Sequence, residues 1–265
     1  MNEFKGNTVW ITGGSSGLGE AMAKAFAAHQ TTLILSGRNE QALHDVKHSC
    51  ELLGAKVFIV VMDMNKPEEI FNIASQVTQL SGPVDILVNN AGISQRSVAA
   101  HTAFAVDQMI IRVNLLATIA LTKALLPAML LRKSGKIVVI SSLVGKFATP
   151  LRSAYAASKH GLHGFFDALR AETYDQGIKV TLICPGFIHT NISVNALIND
   201  GEKQNKMDDA QANGMEPAVF ARKVLSAVAR GKRESYIGGR EILGIYISRW
   251  FPGIFARMMR TQKVT

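Results

Sequence analysis

A tyrosine and a lysine four residues apart, in Tyr155-Ala156-Ala157-Ser158-Lys159, fall on one face of a predicted helix, about one turn from each other. An ammonium beside a phenol favours the phenolate and is expected to draw the tyrosine pKa from its ordinary value of about 10 toward working pH. A phenol so placed can give a proton to a carbonyl oxygen or take one from an alcohol. The pair alone is a common coincidence of helical sequence, and its surroundings decide its weight. Ser141-Ser142 close an apolar strand shortly before Tyr155, and Asn89-Asn90-Ala91-Gly92 close another. Both lie where open α/β sheets bind ligands, at the carboxyl edge of a strand. Asn114 falls within the long helical region that follows.

Near the start, Thr12-Gly13-Gly14-Ser15-Ser16-Gly17-Leu18-Gly19 sits between the first predicted strand and the first helix. Glycines there let the backbone approach a pyrophosphate, and the helix N-terminal N–H groups face its negative charge. The same pattern can be a plain strand-to-helix turn, but its place in a βαβ unit favours a dinucleotide. The second strand ends Leu35-Ser36-Gly37-Arg38, without the acid that would hold a ribose 2′-hydroxyl and repel a 2′-phosphate. Arg38 offers a planar, permanently charged fork to that phosphate, or else caps the next helix in solvent. The missing acid carries the inference, so NADP(H) is expected rather than NAD(H).

The elements that must position these groups follow a βαβ rhythm. Strands are predicted at 8–12, 32–36, 56–62, 86–89, 136–141, 179–184 and near Tyr236, and helices at 16–29, 41–53, 67–80, 103–132, 153–175 and 217–230. Runs such as Ile137-Val138-Val139-Ile140 are apolar on both sides rather than alternating, so helices must cover both faces. The expected fold class is α/β: a doubly wound parallel sheet of about seven strands with helices on both faces, Rossmann-like, in a single domain at 1–240. Within it, 1–135 would form the cofactor half and 136–240 the catalytic and substrate half. The long polar stretch 187–214 is expected to be a substrate lid or mobile segment. A basic, apolar tail occupies 241–265.

Composition narrows the function classes. Of 265 residues, 18% are charged and 48% hydrophobic, an ordinary globular balance. The two cysteines, Cys50 and Cys184, have no C-x-x-C spacing and argue for a reducing compartment without a disulfide framework or zinc cluster. Seven histidines lack ligand spacing, so no catalytic metal is expected. The sequence enters its first strand without a basic region and apolar signal core, which predicts a cytoplasmic protein. No uncharged apolar run reaches the roughly 18 residues of a spanning helix.

Taken in order, T-G-x-x-x-G-x-G, N-N-A-G, a helical Asn, a strand-end Ser, Y-x-x-x-K and then Pro185-Gly186 with Thr190 resemble the short-chain dehydrogenase/reductase superfamily. The resemblance runs from residue 8 to about 190 and departs from the family pattern at no catalytic position. It implies catalytic roles for Asn114, Ser142, Tyr155 and Lys159. Tyr155 would transfer the proton, Lys159 would lower its pKa and hold the nicotinamide ribose, and Ser142 would bond the substrate oxygen. Asn114 would hold a water connecting Lys159 to solvent. The cofactor would lie along Gly13, Ser15, Ser16, Gly17, Leu18 and Gly19, with Arg38 at the 2′-phosphate and Asp63 facing the adenine amino group. Asn90 would sit beside the adenosine ribose, Ala91, Gly92 and Tyr155 would also contact the cofactor, and Lys159 would be at the nicotinamide ribose. Pro185, Gly186 and Thr190 would position the carboxamide. A homodimer or homotetramer formed through the long helices is the family habit.

The net charge of +9 is concentrated late. From residue 222 onward, ten Lys/Arg face only Glu234 and Glu241. Interleaved aromatics and arginines at 241–265 suit either a cover over the pocket or a subunit interface, or a segment lying on a membrane surface. The same tail resembles lipid-handling branches of the superfamily, which implies a long-chain, lipid-like carbonyl substrate. No recognition motif for nucleic acid accompanies the charge. His160 and His163 read as packing or surface residues, and His189 as nearer the ligand. The expected activity is carbonyl/alcohol interconversion by hydride transfer. An NADP(H)-binding regulator without turnover, or an epimerase or dehydratase on the same fold, are the alternatives.

Overall fold

The computed structural model describes residues 3–261. Strand β1 (Thr8–Thr12) leads through helix α1 (Gly17–Ala27) to β2 (Thr32–Gly37), then through α2 (Glu40–Glu51) to β3 (Lys56–Val61). A single 3-10 turn and α3 (Ile70–Ser81) return the chain to β4 (Ile86–Asn89). The long helical region follows as α4 (Phe104–Ile111), a π turn (Arg112–Leu116) and α5 (Ala117–Arg132), before β5 (Gly135–Ile140). Then come α6 (Ser153–Glu172), β6 (Ile178–Pro185), the short α7 (Asp209–Ala212), α8 (Pro217–Ala229) and β7 (Glu234–Ile237). The chain ends in α9 (Leu243–Trp250) and α10 (Pro252–Thr261).

The seven strands form one parallel sheet in the order β3-β2-β1-β4-β5-β6-β7. The order reverses direction between β1 and β4, opening a crevice at their carboxyl ends. Strand periodicity sorts the core. Val9 and Ile11 point to a layer with Met22, Phe26, Leu43 and Phe220 of α1, α2 and α8. Trp10 points the other way, among Ile70, Leu121, Leu125 and Phe166 of α3, α5 and α6. Its indole N–H donates to the Ser36 hydroxyl at 3.0 Å, so the largest fully buried side chain leaves no orphan donor.

Three stretches carry more structure than their composition declares. The helical run Phe104–Arg132 is, by length and composition, apolar enough to cross a membrane. Charged residues such as Arg112 and Lys123 interrupt it, so it holds no uncharged stretch of spanning length. Half of that window is buried inside the domain, with Leu121, Leu125 and Met129 in the core, as suits a central helix of the sheet's cover. The stretch 187–214 is not structureless. Bridges join Gln95 to Leu197, Ile188 to Met215 and Leu197 to Lys203, and α7 ends it. The tail is helical, with Ile245 and Phe255 buried, and Phe255 meets Phe147 edge-on at 5.1 Å. Residues 262–265 of the tail lie outside the described residues.

Candidate active site

The glycine loop is built by close approach. Gly13 has φ +65°, and a Cβ there would press on Ala91 and the Asn90 side chain. A Cβ on Gly19 would collide with the Gly13 carbonyl, which rigid backbone cannot yield. Thr12 ties the loop to β4: its hydroxyl accepts the N–H of Asn90 and of Ala91 at 3.0 Å. The Asn90 amide in turn donates to the Thr12 carbonyl at 2.9 Å and the Gly13 carbonyl at 3.2 Å. The Asn90 side chain is thus fixed as a clamp between β1 and β4, where the sequence reading had it beside a ribose.

One cavity of about 1300 Å³ brings most of the sequence-predicted residues together. Gly13, Ser15, Ser16, Gly17, Leu18, Arg38, Asp63, Asn90, Ala91 and Gly92 line it. So do Ser142, Tyr155, Lys159, Pro185, Gly186 and Thr190. Gly19 lies behind the loop it makes possible, and Asn114 lies behind Gly92. The positive-φ turns at Gly13 and Gly17, and the close approach of Gly92 to Asn114, whose oxygen a Cβ would meet at 3.2 Å, keep the backbone bare of side chains where a diphosphate would lie. These residues fit a dinucleotide.

The centre of the cavity is held by polar groups that the fold buries. Lys159 is buried, and its Nζ donates to the Ile140 carbonyl at the end of β5, 2.9 Å away. Burial pushes its pKa down to about 8. Asn114, in the π turn, accepts the Ile93 N–H at 2.8 Å and donates to the Ile93 carbonyl and the Ser158 hydroxyl at 3.0 Å. The extra residue of a π turn aims that amide inward. Its side-chain amide is thereby tied to the protein at both the oxygen and the nitrogen.

Tyr155 corrects another expectation. Burial pushes its phenol above the ordinary range, and the opposing pulls come from a hydrogen bond with Ser142 and from the charges of Arg152 and Arg96. The Lys159 ammonium stands 5.8 Å from the ring centroid and is committed to the Ile140 carbonyl. In the free protein the phenol is therefore kept protonated. Ser142 accepts the Val144 N–H at 3.2 Å, which orients its hydroxyl at the strand end.

Several residues at the site carry no sequence signal that points to them. Gln95 accepts the N–H of Ala154 at 2.9 Å and of Tyr155 at 3.3 Å, satisfying the first turn of α6. Glu241 accepts the N–H of Phe187 at 3.0 Å and of Gly239 at 2.9 Å, and packs so tightly on Gly186 that no side chain fits there. Arg96, Arg152 and Asp208 form a buried ion cluster on the cavity wall. Beneath the floor, His163 shares a hydrogen bond with Ser141 at 3.0 Å, and burial with the nearby Lys146 pushes its pKa down to about 4. His163, Cys184 and Glu234 place one donor atom each within 4.8 Å of one another, a grouping that sequence spacing could not show. Glu234 is already paired with Lys146 at 2.7 Å. His160 bonds the Ala156 carbonyl of its own helix, and His189 lines the cavity.

Comparison with known proteins places this geometry among relatives. Residues 7–200 match the family model for short chain dehydrogenase. A Bos taurus protein, dehydrogenase/reductase SDR family member 7B, is 42% identical over 261 residues, covering 96% of this chain and 80% of its own length. A Drosophila melanogaster protein, dehydrogenase/reductase SDR family protein 7-like, is 38% identical over 270 residues, covering 99% and 82%. Among solved structures, a short-chain dehydrogenase from Streptomyces avermitilis superposes with TM-score 0.80 at 27% identity, covering 97% of this chain and 96% of that one. A metagenomic short-chain oxidoreductase in complex with NADP superposes with TM-score 0.74 at 26% identity, covering 89% and 96%.

The depressed pKa of Lys159 makes a stability prediction. Below about 8 the lysine is charged in the folded and unfolded chain alike, and folding must desolvate it. Lys159→Met is therefore expected to raise the unfolding free energy of the free protein at pH 7, on the order of 1–3 kcal/mol after loss of the bond to Ile140. The gain should fade as pH rises from about 8 through the ordinary lysine value of 10.5, because the wild-type ammonium then discharges. Urea unfolding at pH 7 and at alkaline pH checks this; equal stability of the two proteins at pH 7 refutes an uncompensated charge.

Proposed function

The chain belongs to the short-chain dehydrogenase/reductase family, and from that premise we propose that it interconverts a carbonyl and an alcohol with NADP(H), using Tyr155 as general acid/base. The observation that carries the reading is the convergence of Tyr155, Ser142 and Lys159 on the wall of the same cavity that the glycine loop closes. NADP(H), when bound, supplies or accepts the hydride. Ser142 and Tyr155 would both bond the substrate oxygen, fixing it and stabilising charge as it develops. Tyr155, protonated in the free protein, carries the proton that reduction would deliver to that oxygen, and the reverse reaction would return it. Lys159 would turn its ammonium from Ile140 toward the nicotinamide ribose. Asn114 acts behind it, holding the π turn, Ile93 and Ser158 in one piece.

Tyr155→Phe should lower carbonyl reduction by roughly 10²–10⁴-fold while leaving NADPH binding in place. Following NADPH absorbance with a panel of ketones and aldehydes, and titrating NADPH fluorescence on the same variant, separates the two. Retained turnover sinks the mechanism, whereas NADPH binding without oxidation by any carbonyl in the wild type would favour the regulator reading. Product analysis would expose an epimerase or dehydratase.

The 2′-phosphate preference rests on Arg38, exposed at the cavity rim beyond Gly37, with no acid at the end of β2. Arg38→Ala should weaken NADPH by roughly tenfold and leave NADH nearly unchanged. Measured KM values for the two cofactors decide it, and an equal loss for both would place Arg38 elsewhere.

The tail supports peripheral membrane contact. Leu243, Tyr246, Trp250, Phe251 and Ile254 are exposed on α9 and α10 beside Arg249, Arg257 and Arg260. The full chain should co-sediment with vesicles rich in phosphatidylserine and be released by raised salt; Trp250→Glu with Phe251→Glu should abolish this. No sedimentation by the wild type would leave these residues to a subunit interface. Exposed Phe104, Leu116 and Leu131 on the long helices support a homo-oligomer. Lining by Phe147, Leu243, Ile247, Met258 and Met259 favours a substrate with a long apolar chain.

A further inference from the structure

The cavity wall opposite the glycine loop carries a buried charge imbalance. Arg96 and Arg152 are both buried, and the carboxylate they share is Asp208, also buried. The pair is unequal. Arg96 is fully engaged, its Nε donating to Asp208 Oδ2 at 2.9 Å and its Nη1 to the Ser94 hydroxyl at 2.8 Å and the Gln95 carbonyl at 2.6 Å. Asp208 is spent as well, because its Oδ1 accepts the Gln204 amide at 3.0 Å. The Arg152 side chain has a single polar contact among the described residues, a long one of 3.5 Å from Nη2 to the same Asp208 oxygen. Its Nε is buried without any hydrogen-bond partner.

Two guanidinium groups against one carboxylate leave one positive charge uncompensated, and burying such a charge is costly unless something pairs with it. Burial and the neighbouring Arg96 push the Arg152 pKa down to about 10, in keeping with that cost. Arginine remains charged at neutral pH even so. The backbone also bears a cost at this point, since Leu151 next to it lies in the left-handed region with φ +64°. Arg152 precedes Tyr155 by about one helical turn, lines the cavity with it and stands close enough for its charge to act on that phenol. The missing partner therefore belongs on the substrate side.

We propose that Arg152, backed by Arg96, is the receptor for an anionic group on the carbonyl substrate, and that one uncompensated charge matches a carboxylate in particular. This rests on the oxidoreductase reading and names the substrate class within it: an oxo-carboxylic acid whose apolar portion runs toward α9 and α10. The guanidinium would accept the carboxylate through charge-assisted hydrogen bonds, and the neighbouring phenol would meet the ketone.

The test uses the purified full chain with NADPH and straight-chain oxo-carboxylic acids that differ in the spacing of ketone and carboxyl. Each acid is compared with its methyl ester, and a ketone of similar length bearing a phosphate monoester forms a parallel arm. For at least one spacing, the acid should be reduced with a kcat/KM roughly tenfold or more above its ester. That acid-to-ester ratio should collapse toward one in Arg152→Met and recover in part in Arg152→Lys. Because the ratio is read within one protein, incomplete folding of a variant does not change it. Esters reduced as well as acids, or a ratio that survives Arg152→Met, would overturn the inference while leaving the oxidoreductase reading intact. Preference for the phosphate over every carboxylate would overturn the matching of a single charge. If NADPH is consumed with no carbonyl of either kind, the oxidoreductase reading fails and this inference fails with it.

Discussion

A buried ammonium organises the catalytic half of this protein. Lys159 can be kept inside only because β5 ends with the Ile140 carbonyl turned toward it, and because its neighbours leave it room. Gly92 is one such neighbour: a Cβ there would fall 3.6 Å from the lysine nitrogen and 3.2 Å from the Asn114 oxygen. Asn114 is another, and it reaches that position through a π turn, whose extra residue rotates one side chain against the regular helical face. Three elements, β4, the helical region before α5, and α6, are thereby locked to one charge. Desolvating that charge opposes folding, so the opposed apolar layers of the sheet must supply the stability that the site does not.

The same principle explains how the glycine loop and the catalytic helix keep register although they lie far apart in sequence. Asn90 and Ala91 donate four hydrogen bonds to Thr12 and Gly13 across the gap between β1 and β4, where the sheet changes direction. Parallel strands here could slip only by breaking that exchange together with the ladder. The crevice at the switch point is therefore a fixed distance from Tyr155. Gln95 continues the chain of constraints from β4 to the first turn of α6 through the N–H groups of Ala154 and Tyr155.

What could be read from the sequence follows from how local each signal is. Apolar runs such as Ile137-Val138-Val139-Ile140 and the glycine turn declare themselves over a few residues, so the parallel strands and their covering helices were legible with ends displaced by at most three residues. Tyr155, Lys159 and Ser142 were legible as types at set intervals, and they do meet on one cavity wall. The direction of the tyrosine shift was not legible, because proximity to a lysine says nothing of how deeply both are buried or of what else claims the ammonium. Nor were Asp208 and Arg96 legible: they come together across a long loop that composition marks only as polar. The tail was legible only as basic and apolar, and its helices were not assigned; Pro252 opens α10 at the position a helix tolerates best.

The late, variable parts of the chain complete the cavity that the early motifs begin. The loop 187–214 brings Asp208 against Arg96, and α9 and α10 bring apolar side chains against Phe147. The resulting chamber is lined by buried guanidinium groups as well as by apolar side chains, with Tyr155 among them. A small neutral ketone would leave a guanidinium unpaired and apolar surface wet, and both are unfavourable. Under the proposal made for Arg152, a substrate that meets both demands carries a charge as well as a chain. Selection of that kind would then come from residues outside the motifs that define the family.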